Sequence, residues 1–459
     1  MRRSYAMKKI FSVVFVFIFA CAFLIIGILT WGSPKKYISE QEKRKLATFP
    51  VFSISGLLNG SFTDSISIFF AEHFYLREKI IPYAVQFSQW QGLQIEKVKV
   101  YQNNHLLEGE LKITNNLLAN NTVNQADTIQ TRQQNVVYPK DEYAITENIS
   151  LDSLQELGVG RTCNNVFICN GKGFQFFGGN HHLARYFAKV VDRYAEQNQG
   201  VNVYAAVVPS NAEFYLPSKY QKLKRSECAN IDATNSALKK AIPVNICEEI
   251  RQHLNEYLYF NTDHHWTALG AYYGYVAWCK AAHMKPVPLD SMKRKVIKNY
   301  YGSLYHLTQD PELAQNKDSV EYFKTDIKTK TFYWLENQMD KTHTGFYLVE
   351  FASSATAYGV FLGADYPLMH IATNLQTNRN CLIIKNSYGN PFTTFLVNHF
   401  DNIFVVDYRY YHKPLNQLIK EKKITDIIFL MGVFSTNTPQ HIRKVDLLLQ
   451  QEQKTDAKN

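Results

Sequence analysis

Residues 381–411 read CLIIKNSYGNPFTTFLVNHFDNIFVVDYRYY. The stretch opens on a short apolar run, CLIIK, crosses a polar turn, continues as the helix-like FTTFLVNHF and reaches a second apolar run, IFVV. Unbroken apolar runs of this length belong to strands covered on both faces, and a helix between two of them is the crossover of a βαβ unit. The alternation continues outward. PLNQLIKEKK (414–423) is another amphipathic segment, and DIIFLMGV (426–433) a further apolar run. Upstream, HHLARYFAKVVDRYAEQN (181–198) sets Leu183, Tyr186, Phe187, Val190, Val191 and Tyr194 on one helical face, and the strand VNVYAAVVP (201–209) follows. The fold class is α/β, a parallel sheet flanked by helices.

Such sheets carry their chemistry just beyond the C-terminal ends of the strands. CLIIK runs straight into Asn386, Ser387, Tyr388 and Gly389, after which Pro391 opens a helix. A serine there projects from the sheet edge, and the backbone N–H groups of Tyr388 and Gly389 favour negative charge beside it. The bland alternative is a turn or N-cap serine. A second place shifts that balance: NTDHHWTALGAYYGY (261–275) joins Asp263, His264 and His265 just before a helix expected to start near Thr267. A serine hydroxyl needs a base to take its proton, and the imidazole needs a carboxylate to hold its tautomer. Residues two apart in an extended segment share a side, so Asp263 reaches His265 while His264 faces away. Asp263 with two histidines also reads as a metal site, but adjacent histidines diverge and no HExxH-type spacing is present. The expectation is no metal and no cofactor. Arg409, in VVDYRYY after the next strand, either meets an acyl oxyanion or an anionic glycan, or pairs with Asp407.

Toward the N-terminus, residues 10–31 (IFSVVFVFIFACAFLIIGILTW) form an uncharged run long enough to cross a bilayer. Arg2, Arg3, Lys8 and Lys9 precede it, against Lys35 and Lys36 after it, which keeps the N-terminus cytoplasmic. The expected layout is a cytoplasmic tail (1–9), a transmembrane anchor (10–31), a helical stalk (32–100) and an extracytoplasmic catalytic domain (101–449). An Asn-, Gln- and Thr-rich insertion falls near 115–160, and a polar tail ends the chain (450–459). A cleaved signal peptide is the competing reading of 10–31, although no small-residue cleavage pattern follows it. The net charge of +10 is scattered rather than gathered with aromatics, so nucleic acid is not an expected partner. Seven cysteines show no CxxC spacing; Cys163 with Cys169, or Cys228 with Cys247, are candidate disulfides in an oxidising compartment.

Taken together, SEQEKRKLATFPVFS (39–53), FAEHFYLREKI (70–80), VVPSNAEFYLP (207–217), TDHHWTALGAYY (262–273), NYYGSLY (299–305), the 381–411 stretch and TDIIFLMGV (425–433) resemble the DHHW proteins. That family is grouped with the alginate O-acetylation proteins AlgX and AlgJ among the SGNH-hydrolase-like acyltransferases. The resemblance implies that Asp263 orients His265, that His265 is the general base and that Ser387 is the acylated nucleophile. His264 and Trp266 complete the motif without an assigned role. Asp and His precede Ser, the reverse of ordinary SGNH hydrolases, but a triad is defined by geometry rather than chain order. Asn386 stands where many SGNH proteins have Asp, and their separate Gly and Asn blocks are not recognisable. The implied activity is O-acyl transfer, most simply acetyl, to a secreted or cell-wall polysaccharide, with a multipass membrane-bound O-acyltransferase as acyl donor. An esterase using the same triad and a non-catalytic glycan-binding scaffold are the alternatives.

Overall fold

The computed structural model describes residues 160–449 continuously and scattered residues between 27 and 76. The expected stalk is described only at scattered positions up to residue 76, and the 115–160 insertion apart from residue 160, the 450–459 tail and the 10–31 run apart from 27–30 lie outside the described residues. Among the described residues no helix is long and apolar enough to cross a membrane. The chain divides into two compact units, one of residues 1–95 with 303–311 and the other of 96–302 with 312–459. In the first, Ile38–Ser39 pairs antiparallel with Arg44–Lys45, and Ser303–Thr308 is helical.

The second unit is built on a sheet of strands β1 (Asn202–Val208), β2 (Ile242–Pro243), β3 (Thr329–Leu335), β4 (Gln338–Gly345), β5 (Leu368–Thr373), β6 (Asn380–Lys385), β7 (Asn402–Asp407) and β8 (Asp426–Gly432). Their spatial order is β4-β3-β5-β7-β6-β8-β1-β2. From β7 to β2 every pairing is parallel. From β7 outward to β4 every pairing is antiparallel. The expected parallel sheet is therefore the central block only. The antiparallel extension was missed because β4 is largely exposed and carries polar residues along its length, QMDKTHTG, so no apolar periodicity marks it.

The parallel block is covered on both faces, and the period of two in each strand decides which side chain goes where. Cys381, Ile383, Ile403, Val405, Ile428 and Leu430 enter one core with α3 (Ala268–Ala281) and α4 (Gly389–Leu396). Leu382, Ile384, Phe404, Val406, Ile427 and Phe429 enter the other with α1 (His181–Gln197), α5 (Leu415–Glu421) and α6 (Pro439–Leu447). In α1, Leu183, Phe187, Val190, Val191 and Tyr194 are buried as the helical stripe requires, while Tyr186 is half-buried. Between β1 and β2 lies α2 (Glu227–Ala237), which Cys228 ties by a disulfide to Cys247 at a Cα separation of 5.9 Å. No bridge joins Cys163 to Cys169, so of the two candidate pairs only the second is bonded.

Candidate active site

Ser387 stands in the turn between β6 and α4, at the C-terminal edge of the sheet's parallel block. A Cβ on Gly389 would lie 2.6 Å from Lys385 Cβ, so only glycine lets the helix start fold back against the strand end. Asn386 knits this turn: its Oδ1 accepts from the Tyr388 N–H at 3.2 Å and its Nδ2 donates to Ser435 Oγ at 3.0 Å. An aspartate there would keep the first bond and reverse the second, its oxygen accepting from the Ser435 hydroxyl. The Gly389 N–H donates to the Asn386 carbonyl at 2.9 Å. The two amides considered for an oxyanion are thus engaged inside the turn, whereas the N–H of Ser387 itself has no acceptor among the described residues.

Asp263, His265 and Ser387 form one hydrogen-bonded chain. His265 Nε2 lies 2.8 Å from Ser387 Oγ, and His265 Nδ1 lies 2.6 Å from Asp263 Oδ1. The same Oδ1 accepts the His265 backbone N–H at 2.9 Å, an Asx turn that bends the segment. Asp263 thus meets His265 through a bend and not through the extended strand that the spacing implies. Asp263 Oδ2 accepts from Tyr300 Oη at 2.9 Å. Burial, then Asp263, keep that phenol well above its ordinary pKa and therefore a donor. Upstream, the buried Asp318 carboxylate anchors the loop, accepting from Asn261 N–H at 2.9 Å, Thr262 N–H at 2.8 Å, Thr262 Oγ1 at 2.5 Å and the Tyr257 hydroxyl. Downstream, Thr267 caps α3 through Gly270 N–H at 3.2 Å.

His264 does not face away. Because the segment bends, its ring sits 3.8 Å from that of His265 and its Nδ1 lies 3.6 Å from Asp263 Oδ1. Although 34% of its side chain is exposed, lost hydration and then neighbouring His265 press its pKa down to about 3, leaving it neutral at physiological pH. Asp263, His264 and His265 therefore hold one ligand atom each within 4.8 Å, closer than sequence spacing implies. Both nitrogens of His265 are within hydrogen-bond reach of Asp263 and Ser387, so a cation bound by this trio would displace one of those bonds. The ring of Tyr358, from the turn Ser354–Val360, stacks on His265 at 4.3 Å and 17°, and its hydroxyl donates to the Ser387 carbonyl at 2.9 Å.

Arg409 pairs with Asp407, as one of its two readings holds, and also with Asp365, at 2.7 Å each. Lys385 bridges the same two carboxylates at 2.9 and 3.0 Å, and Asn390 Nδ2 donates to Asp365 Oδ1 at 3.0 Å. Burial alone would raise the Asp365 carboxyl, but Lys385 and Arg409 outweigh it and hold the group well below the usual carboxylate range. The network closes the ends of β6 and β7 directly beneath the nucleophile turn.

The profile of the DHHW protein family matches residues 42–406, most of the length and all of the triad. The chain belongs to the DHHW family. A solved DHHW family protein from Eubacterium siraeum is 28% identical with a TM-score of 0.58, covering 64% of this chain and 98% of that one. Bacillus cereus PatB1 shares the fold at 20% identity and a TM-score of 0.51, covering 62% of this chain and 98% of that one. PatB1 has also been solved with a sulfonyl adduct. The O-acetyltransferase domain of Pseudomonas putida AlgJ matches at 14% identity and a TM-score of 0.36, covering 63% of this chain and 97% of that one. No curated protein matches. Within the DHHW tetrapeptide, Trp266 has a place as well: fully buried, it donates from Nε1 to the Tyr388 carbonyl at 2.9 Å, binding the base loop to the nucleophile turn. Tyr300, Tyr358 and Asp318 escaped the chemical reading of the sequence. Only Tyr300 carried a signal, through the NYYGSLY block, where a Cβ on Gly302 would lie 2.2 Å from Asp263 Cβ.

Proposed function

We propose that this DHHW protein is an extracytoplasmic serine O-acyltransferase, acting most simply on acetyl groups, that modifies a secreted or cell-wall polysaccharide through an acyl-Ser387 intermediate. The observation that carries the reading is the unbroken chain from Asp263 through His265 to Ser387 at 2.6 and 2.8 Å. His265 Nε2 takes the Ser387 proton as Oγ attacks the donor carbonyl, and Asp263 stabilises the imidazolium that forms. The Ser387 N–H is the donor for the developing oxyanion. Arg409, paired with Asp365 and Asp407, braces the strand ends beside the turn.

An extracytoplasmic enzyme has no acetyl-CoA, so the acyl group would come from a multipass membrane-bound O-acyltransferase, near which the 10–31 anchor would hold the domain. The Cys228–Cys247 disulfide supports an oxidising compartment. The decisive experiment is mass spectrometry of the protein mixed with an activated acetyl ester. Acetyl on Ser387 that moves to added oligosaccharide supports transfer, and acetyl released only to water identifies the esterase. No acetyl on Ser387 leaves the glycan-binding scaffold. A sulfonyl fluoride should label Ser387 in the same way.

A further inference from the structure

The base is buried, and the rings packed against its imidazole are aromatic. His265 is 6% exposed. The Tyr358 ring stacks on it at 4.3 Å, the His264 ring packs at 3.8 Å and the Tyr388 ring meets it edge-on at 5.0 Å and 63°. Two of the three are fastened to the catalytic loops themselves, Tyr358 Oη to the Ser387 carbonyl at 2.9 Å and Tyr388 Oη to the His264 carbonyl at 2.5 Å. Packing alone needs bulk. It does not need hydroxyls that fix the rings to the nucleophile and base segments.

We infer that Tyr358, together with His264, is a specificity-determining shield that sets how acyl-Ser387 partitions between a sugar hydroxyl and water. The inference rests on the acyl-serine reading. In the first half-reaction Oγ bonds the acyl carbon, the donor C–O bond breaks, and the Oγ proton passes through His265 to the leaving oxygen. In the second, an incoming O–H oxygen bonds that carbon, the Oγ–C bond breaks, and the incoming proton passes through His265 back to Oγ. Water and sugar compete for the same Nε2. Water outnumbers a millimolar acceptor by roughly four to five orders of magnitude, so a transferase must keep the base from bulk solvent until an acceptor reaches acyl-Ser387. Rings over the imidazole do this without a moving part. Tyr358 is half-buried and His264 is 34% exposed, which puts both at the solvent boundary of the base.

The test uses the detergent-solubilised full chain and 4-nitrophenyl acetate, reading nitrophenol release for acylation and the mass-resolved decay of acetyl-Ser387 for hydrolysis. The quantity of interest is the ratio of the two rate constants. Both steps use His265, so a variant that merely misplaces the base slows both in parallel and leaves the ratio alone. Tyr358→Ala and His264→Ala should each raise hydrolysis relative to acylation by about tenfold or more, and Tyr358→Phe, which keeps the ring and loses its tether, should raise it by less. Unchanged ratios in both alanine variants would overturn the shield while leaving the acyl-serine reading intact. If Tyr358→Ala does not fold, His264→Ala reads the same ratio from the other ring. Wild-type protein that never carries acetyl on Ser387 would instead remove the reading on which the shield depends.

Discussion

Both carboxylate oxygens of Asp263 are engaged: Oδ1 with the His265 ring and backbone, Oδ2 with Tyr300. A group so placed acts as part of one unit, and the loss of any member removes the same proton-transfer step. Ser387→Ala, His265→Ala and Asp263→Asn should each lower turnover of an acetyl ester by roughly three to six orders of magnitude, with double variants costing little more. Tyr300→Phe, which strips one neutral hydrogen bond from the carboxylate, should cost roughly three- to tenfold. Turnover assays with circular dichroism as the folding control check the series; a folded Ser387→Ala near wild-type rate would remove covalent serine catalysis. A chelator should leave wild-type turnover unchanged, because the triad's bonds already occupy the nitrogens of His265. That these three side chains would meet was legible because candidate nucleophiles, bases and carboxylates are few in kind and announce themselves by type. Tyr300 and Tyr358 were not, since any of the chain's 29 tyrosines could have stood there and only the folded chain brings these two to the site. His264 was misread for a related reason, that spacing rules assume a straight segment and Asp263 bends this one.

At the level of elements, the site is a meeting of two loops, one shaped by its own residues and one held by a side chain from elsewhere. Asn386 and Gly389 shape the β6–α4 turn locally, and that turn was readable from CLIIKNSYGN alone. The base loop depends instead on Asp318, at the start of the strand Asp318–Lys324, which gathers four donors from Tyr257, Asn261 and Thr262. Removing a buried acceptor leaves those donors unpaired, at about 1–3 kcal/mol for each group that cannot find water. Asp318→Ala should therefore destabilise the protein by about 2–4 kcal/mol and lower turnover by about tenfold to a hundredfold through displacement of Asp263. Urea unfolding and ester turnover measure the two effects, and wild-type turnover in a folded Asp318→Ala protein would show that the loop is held by other means. Nothing in the sequence marked Asp318. Its strand pairs with Lys293–Tyr300, a ribbon whose first partner reads KRKVIKNY and is mostly exposed, so neither member carries the apolar signature that exposed β6, β7 and β8 to sequence reading.

Two features of the whole molecule make its stability depend on its surroundings. Glu227, first residue of α2, is fully buried and accepts from the Ser210 N–H and hydroxyl at 2.5 and 2.8 Å. Burial, only partly offset by Lys224, raises its pKa from 4.5 to about 7. Between those values the folded chain holds a proton that the unfolded chain has released, so this group's contribution to stability falls as pH rises from about 4.5 to about 7 and is level above. Urea midpoints compared with Glu227→Gln across pH 4.5–8 should show the difference shrinking or reversing along that interval, and parallel curves would contradict it. The second feature is Cys228–Cys247, a bridge closing a 19-residue separation across the loop that joins α2 to the segment after β2. A loop of that size is worth about 3 kcal/mol of unfolded-state entropy once crosslinked. That contribution exists only where thiols oxidise, which ties it to the side of the membrane on which residues 32–459 are expected. Arg2, Arg3, Lys8 and Lys9 ahead of the apolar run argue for export of everything after it. In intact cells, then, Cys228 and Cys247 should resist thiol alkylation until a reductant is added, and external protease should digest the chain beyond residue 32. The double variant Cys228→Ser/Cys247→Ser should lose about 3 kcal/mol in urea without dithiothreitol and nothing relative to wild type with it. Alkylation of both cysteines in unreduced cells, together with full protection from protease, would place the domain in the cytoplasm and end the case for an extracytoplasmic acyltransferase while leaving the triad chemistry standing.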